Sequence, residues 1–138
     1  MDNGEEVLVI PCSGIGKVQG LIGREATYLV TDELAPQRTD TLCLALLVKG
    51  DEDAVGRVRA SQCITVDGCP KACAQKNVEM AGGTVSCALQ VADALKRHRG
   101  AQPGSASGLN EVGWIVAQEL AETVAGRVAE LARCEVNG

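Results

Sequence analysis

The apolar positions of this chain keep two rhythms. Val7-Leu8-Val9-Ile10 is an unbroken aliphatic run closed by Pro11, the pattern of a strand buried on both faces of a parallel sheet. From Lys17 to Leu34 the spacing changes. Val18, Leu21, Ile22, Ala26, Leu29 and Val30 recur every three or four residues, which predicts a helix ending before Pro36. Thr41 to Val48 is apolar again, and its Leu and Ala content leaves strand and short buried helix both open. Asp51 to Ala60 reads as a helix with acidic residues in its first turn, where they favour the positive end of the helix dipole. Gln62 to Val66 is a strand that Asp67-Gly68 breaks. Pro70 suits a first helical position, so the next helix is expected from Pro70 to about Ala81, with Gly82-Gly83 as its stop. Thr84 to Leu89 forms a weaker last strand, and Val91 to Arg97 a short helical continuation.

Strands alternating with helices predict an α/β fold: a small, open, mostly parallel sheet in three layers, with helices on both faces, plus a C-terminal helix. Residues 1–97 would form the cysteine-rich α/β domain, and 98–108, rich in Gly, Ser and Ala, a flexible linker. Residues 109–138 would form an amphipathic helix, with Val112, Ile115, Val116, Leu120, Val124, Val128 and Leu131 on its apolar stripe. That helix either docks back on the domain or mediates self-association or contact with a partner protein. In open α/β sheets ligands gather beyond the carboxyl ends of the strands, where loops lead into helices. Cys12 and Cys69 both fall at such corners, and Cys43 lies at or just past a third apolar segment.

Composition narrows the chemistry. The chain has 138 residues, enough for a self-sufficient core that needs no cross-links. It contains no Phe, one Trp and one Tyr, so it offers no aromatic platform for bases, and its net charge of −5 gives no basic footprint for a phosphate backbone. Nucleic acid is therefore not an expected partner. The first residues, Met1-Asp2-Asn3-Gly4-Glu5-Glu6, are acidic where a secretory leader is basic, and no stretch approaches the ~20 apolar residues of a membrane span. A cytoplasmic protein without membrane contact is the expectation. Seven cysteines in a reducing compartment point to metal binding or thiol chemistry rather than to a disulfide framework, for which the odd count is also awkward.

With Pro70 opening a helix, Cys69 would cap it and Cys73 would stand one turn in, on the same face. Residues four apart on a helix have Cβ atoms about 5–6 Å apart, so two sulfurs can converge on one metal at about 2.3 Å. Helix starts also stabilise the thiolate, the form that ligates. The competing reading makes Cys73 a small buried residue and Cys69 a turn residue. Cys12 occupies the equivalent corner of the first strand, with Gly14 and Gly16 permitting close backbone approach. Its loop is not a phosphate-binding loop, because Ser13-Gly14-Ile15-Gly16-Lys17-Val18 lacks the spacing and the hydroxyl of G-x-x-x-x-G-K-[ST]. A phosphatase-type cysteine loop fits no better, since the first arginine is Arg24. Cys43, between Leu42 and Leu44, suits core burial by position; Cys63 looks like an inward strand residue, and Cys87 and Cys134 are isolated. His98 sits between arginines in the linker, which suggests solvent exposure. Asp67 serves the turn or holds a backbone amide, and Lys17 and Lys71 are near enough in sequence to act on the thiols. Catalysis finds no foothold: a single histidine supplies no Ser-His-Asp set, and no H-E-x-x-H occurs.

Asp67-Gly68-Cys69-Pro70 followed by Cys73-Ala74, a Cys12-Ser13-Gly14 loop after the first strand, and Cys43-Leu44-Ala45 between them resemble the DGC-domain family of zinc-binding candidates, over roughly residues 6–95. The resemblance implies that Cys12, Cys43, Cys69 and Cys73 are the metal ligands, which promotes Cys43 from core residue to ligand. It implies a small metal-binding protein in which four thiolates hold one Zn²⁺ in a closed tetrahedral shell, structural or sensory rather than catalytic. Two alternatives stay open. The same cysteines would suit a [4Fe–4S] cluster in an electron-transfer or cluster-carrier subunit. A Cys69/Cys73 thiol-disulfide pair would be strained and easily reduced, and would leave Cys12 and Cys43 without a role.

Overall fold

The computed structural model describes residues 7–12, 18–68, 71–98, 100, 102–105 and 108–137, with side chains to residue 131. Strand β1 (Val7–Pro11) is fully buried apart from its last residue, as an unbroken aliphatic run requires. Helix α1 (Val18–Leu29) follows and runs on into a π-helical turn (Val30–Leu34) closed by the Ala35 amide on the Val30 carbonyl at 2.8 Å. Strand β2 is only Thr39–Asp40. The ambiguous apolar segment is helical: α2 (Leu44–Lys49) buries Leu44 and Leu47 and stops at Gly50, whose φ of 84° is the left-handed conformation that glycine adopts without a steric penalty. Helix α3 (Glu52–Ala60) is capped by the Asp51 carboxylate, which accepts from the Ala54 amide at 3.0 Å. Strand β3 (Gln62–Asp67), helix α4 (Cys73–Met80), strand β4 (Thr84–Gln90) and helix α5 (Val91–Leu95) complete the alternation, with a 3₁₀ turn over Lys96–His98.

The sheet has the order β2-β1-β3-β4, every pairing parallel. The fold is therefore α/β, with helices on both faces of a parallel sheet and a C-terminal helix, as the pattern predicts. The two-residue side-chain period of a strand sorts the core into two clusters. Val7, Val9, Ile64 and Val66 point to the face covered by α1 and α5. Leu8, Ile10 and Cys63 point to the face covered by α2, α3 and α4. A short antiparallel pair, β5 (Gly104–Ser105) with β6 (Gly108–Leu109), precedes the last helix, α6 (Glu111–Asn137). Helix α6 buries Val116, Ala117, Leu120, Ala121, Val124 and Val128 in the first cluster, packing against α1, the π-helical turn and α5, whereas Ile115 of the expected apolar stripe is exposed. No helix among the described residues is long and apolar enough to cross a membrane.

Candidate metal centre

The chain leaves β1 at Pro11 and β3 at Asp67, on neighbouring central strands. Between them the direction of winding reverses: β1 leads outward to β2, and the chain then crosses over to β3 and β4. Such a reversal is where open α/β sheets form their ligand site, beyond the strand ends. Two contacts join the junctions there. The Cys12 amide donates to the Val66 carbonyl at 3.0 Å, and the Gly68 amide donates to Cys12 Sγ at 3.1 Å.

Gly68 is what permits the second contact. A β-carbon there would stand 3.0 Å from the Gly20 amide nitrogen, 3.1 Å from the Gln19 carbonyl carbon and 3.3 Å from Cys12 Sγ. Two of these neighbours are backbone, so only glycine lets the turn lie this close to both α1 and the sulfur. Cys12 itself is 8% exposed and packs with Leu44, Leu47 and Ala74.

Asp67 performs a different task from its neighbour. Only 2% exposed, its carboxylate accepts from the Ala74 amide at 2.7 Å and from the Gln75 amide at 3.2 Å. Both amides belong to the first turn of α4, where backbone donors lack helical partners and the dipole favours an anion. This non-local cap corrects the expected helix start. The helix begins at Cys73 rather than Pro70, and the residue before it, Ala72, has a left-handed backbone with φ 55°. Cys73 is thus the first helical residue, not one a turn in. Cys73 is exposed, which removes its reading as a small buried residue, and Lys71 beside it is exposed too.

Cys43 ends the loop after β2 as the cap residue of α2, extended at φ −74° and ψ 127° and making no side-chain capping bond. It is exposed, so the burial suggested by its leucine neighbours does not occur. Helix α2 packs against α4, which sets the Cys43 and Cys73 helices side by side on the face where Cys12 is buried. Cys69, Pro70 and Lys17 lie outside the described residues. Cys12, Cys43 and Cys73 all stand at strand-to-helix junctions on the carboxyl edge. Yet among the described residues no three His, Cys, Asp or Glu side chains form a group able to hold a metal. The structure brings these three thiols to one edge without gathering them.

The remaining groups separate from this edge. Cys63 is fully buried, its Sγ 3.8 Å from the carbonyls of Val58 and Ser61, and burial pushes its pKa up to about 11. It is a core thiol. Cys87 lies half-buried on β4 near Arg127 of α6. His98 is not the solvent-facing linker residue expected: its Nε2 lies 2.9 Å from Glu119 Oε1, at the contact between the 3₁₀ turn and α6. No local signal marks that pair, because its members are 21 residues apart and meet only once α6 docks.

A family model, the DGC domain, matches residues 8–112. It takes in Cys12, Cys43, the Asp67-Gly68-Cys69 turn and Cys73, and ends at the start of α6. No curated protein and no solved structure matches the chain.

Proposed function

The chain belongs to the DGC-domain family, and from that premise we propose that it binds a single zinc ion through Cys12, Cys43, Cys69 and Cys73, in a structural or sensory role. The observation that supports this reading best is the Gly68 amide donating to Cys12 Sγ at 3.1 Å. It ties the first cysteine loop to the turn that carries Cys69, across the reversal of strand order. Hydrogen bonds of this kind hold ligating atoms in orientation. The donor set fits the ion: thiolates are soft ligands, and four of them complete a tetrahedral zinc shell with no place for a reactive water.

Three of the four ligands have a positioning device of their own. Gly68 lets Cys12 and the turn approach each other, the Asp67 cap fixes where α4 starts and so where Cys73 stands, and the packing of α2 on α4 sets the distance to Cys43. When bound, zinc would supply a cross-link among three strand-to-helix junctions. Ligands on separate junctions couple metal binding to the conformation of the edge, which is the property a sensor needs and a structural site shares. A cytoplasmic location, with its reducing conditions, would keep the thiols available.

The test is elemental analysis of protein prepared without oxygen, with its absorption spectrum. The expected result is a colourless protein with about one zinc per chain, reduced to background in Cys69→Ser and Cys73→Ser. A brown protein absorbing near ~400 nm would transfer the same four ligands to an iron–sulfur cluster. Metal-free protein with all its thiols titratable would overturn metal binding altogether.

A further inference from the structure

Helix α6 closes a small cleft against the end of β4 and helix α5. Gln90 ends β4 on the edge where open α/β sheets gather ligands, and Asp93 and Arg97 follow on α5 and the 3₁₀ turn. Across from them stand Glu119 and Leu120 of α6, beyond the residues that the family model matches. The cleft is therefore an addition of this chain to the domain. Its volume is about 80 Å³, and no cysteine lines it, so it shares no residue with the proposed zinc ligands.

The charges around it are of both signs and unevenly matched. Asp93 Oδ1 is met by Lys96 Nζ at 3.4 Å and Glu119 Oε1 by His98 Nε2 at 2.9 Å, which engages one oxygen of each carboxylate. Arg97 is exposed and enters no ion pair among the described residues. The cleft thus offers a guanidinium fork, two carboxylates and the Gln90 amide beside the apolar Leu89, Ala94 and Leu120. The carboxylates would repel a simple anion, and Arg97 would repel a simple cation. A molecule carrying both charges a few ångströms apart meets neither penalty.

We propose that this cleft binds a small α-amino acid as its zwitterion. The carboxylate takes two parallel N–H bonds from Arg97, the geometry in which a guanidinium recognises a carboxylate. The ammonium donates to Glu119 and Asp93, and the side chain lies against the leucines. Size sets the class. A cavity of about 150 Å³ holds benzene, so about half that volume admits glycine or alanine and turns away an aromatic side chain. The ligand spans α5 and α6, so occupancy also holds the C-terminal helix in place.

The test is calorimetric titration of the full chain with L-alanine. Wild type is expected to bind about one molecule per chain with a Kd of about 1 mM or tighter. Propionate, which lacks the ammonium, and ethylamine, which lacks the carboxylate, should each bind at least about tenfold more weakly, as should L-alanine to Arg97→Gln and to Glu119→Gln. L-tryptophan should not bind. The proposal is overturned if L-alanine shows no binding up to about 10 mM, if either half-ligand or L-tryptophan binds as tightly, or if Arg97→Gln binds as wild type does. Glu119→Gln also loses the His98 pair, so far-ultraviolet circular dichroism checks its fold. Should that variant not fold, Arg97→Gln, at an exposed position, decides the matter.

Discussion

Replacing Asp67 by Ala removes one side chain and leaves two backbone donors without acceptors. The Ala74 amide, at 2.7 Å, belongs to a fully buried residue, and the Gln75 amide, at 3.2 Å, makes the longer bond. A hydrogen bond to a charged acceptor contributes about 1.5–3 kcal/mol, and a helix cap alone up to about 2 kcal/mol. Part of that loss is offset because the carboxylate no longer has to be desolvated in a site where it is 2% exposed. The net cost should be about 3 kcal/mol. Urea unfolding of the metal-free protein measures it, and with a slope of about 2 kcal/mol/M the midpoint should fall by about 1.5 M while the slope stays constant. Asp67→Asn keeps one acceptor and should lose less than half as much. An Ala variant within about 0.5 kcal/mol of wild type, or an Asn variant as unstable as the Ala one, would show that the Asp67 carboxylate does not cap α4. Because the same carboxylate fixes the start of α4, Asp67→Ala should also hold zinc less tightly than wild type in a chelator competition.

Three further outcomes follow from the packing. Gly68→Ala drives a β-carbon against the Gly20 and Gln19 backbone and should cost about 1–3 kcal/mol in the same urea assay. Cys63 has its pKa raised by burial from 9.0 to about 11, so it stays neutral in the folded state while its unfolded counterpart ionises. Its contribution is therefore fully present below pH 9 and is lost as pH rises towards 11, on the order of 3 kcal/mol in total. Urea midpoints measured across that window should decline more steeply in wild type than in Cys63→Ala. Leu120→Ala on α6 should cost about 2–5 kcal/mol although it lies beyond the family match, because its side chain is part of the core on the α1 face. A thermal or urea midpoint equal to wild type would show that α6 is not docked.

Much of the architecture is legible from local pattern. The aliphatic run at Val7–Ile10 and the three-to-four spacing after it announce β1 and α1, and parallel strands then place Cys12, Cys43 and the Asp67-Gly68 turn on one edge. What resists reading depends on contacts distant in sequence. The segment around Leu44 is ambiguous because leucine and alanine suit either element, and it becomes helical where Leu44 and Leu47 find α4. Pro70 is a good local helix start, but the Asp67 carboxylate reaches seven and eight residues ahead and sets the start at Cys73 instead. The stripe on α6 declares that something covers it and not what; the answer lies in α1, the π-helical turn and α5. The candidate site divides in the same way. Its location follows from strand ends, whereas the spacing among its thiols depends on how α2 packs against α4, which no motif encodes.

X-ray absorption at the zinc edge, on protein as purified without oxygen, tests the proposed four-thiolate centre most directly. Ligation by four thiolates predicts a first shell of sulfur alone, about four atoms at about 2.3 Å. A shell containing nitrogen or oxygen at about 2.0 Å, or protein without bound zinc, would contradict it.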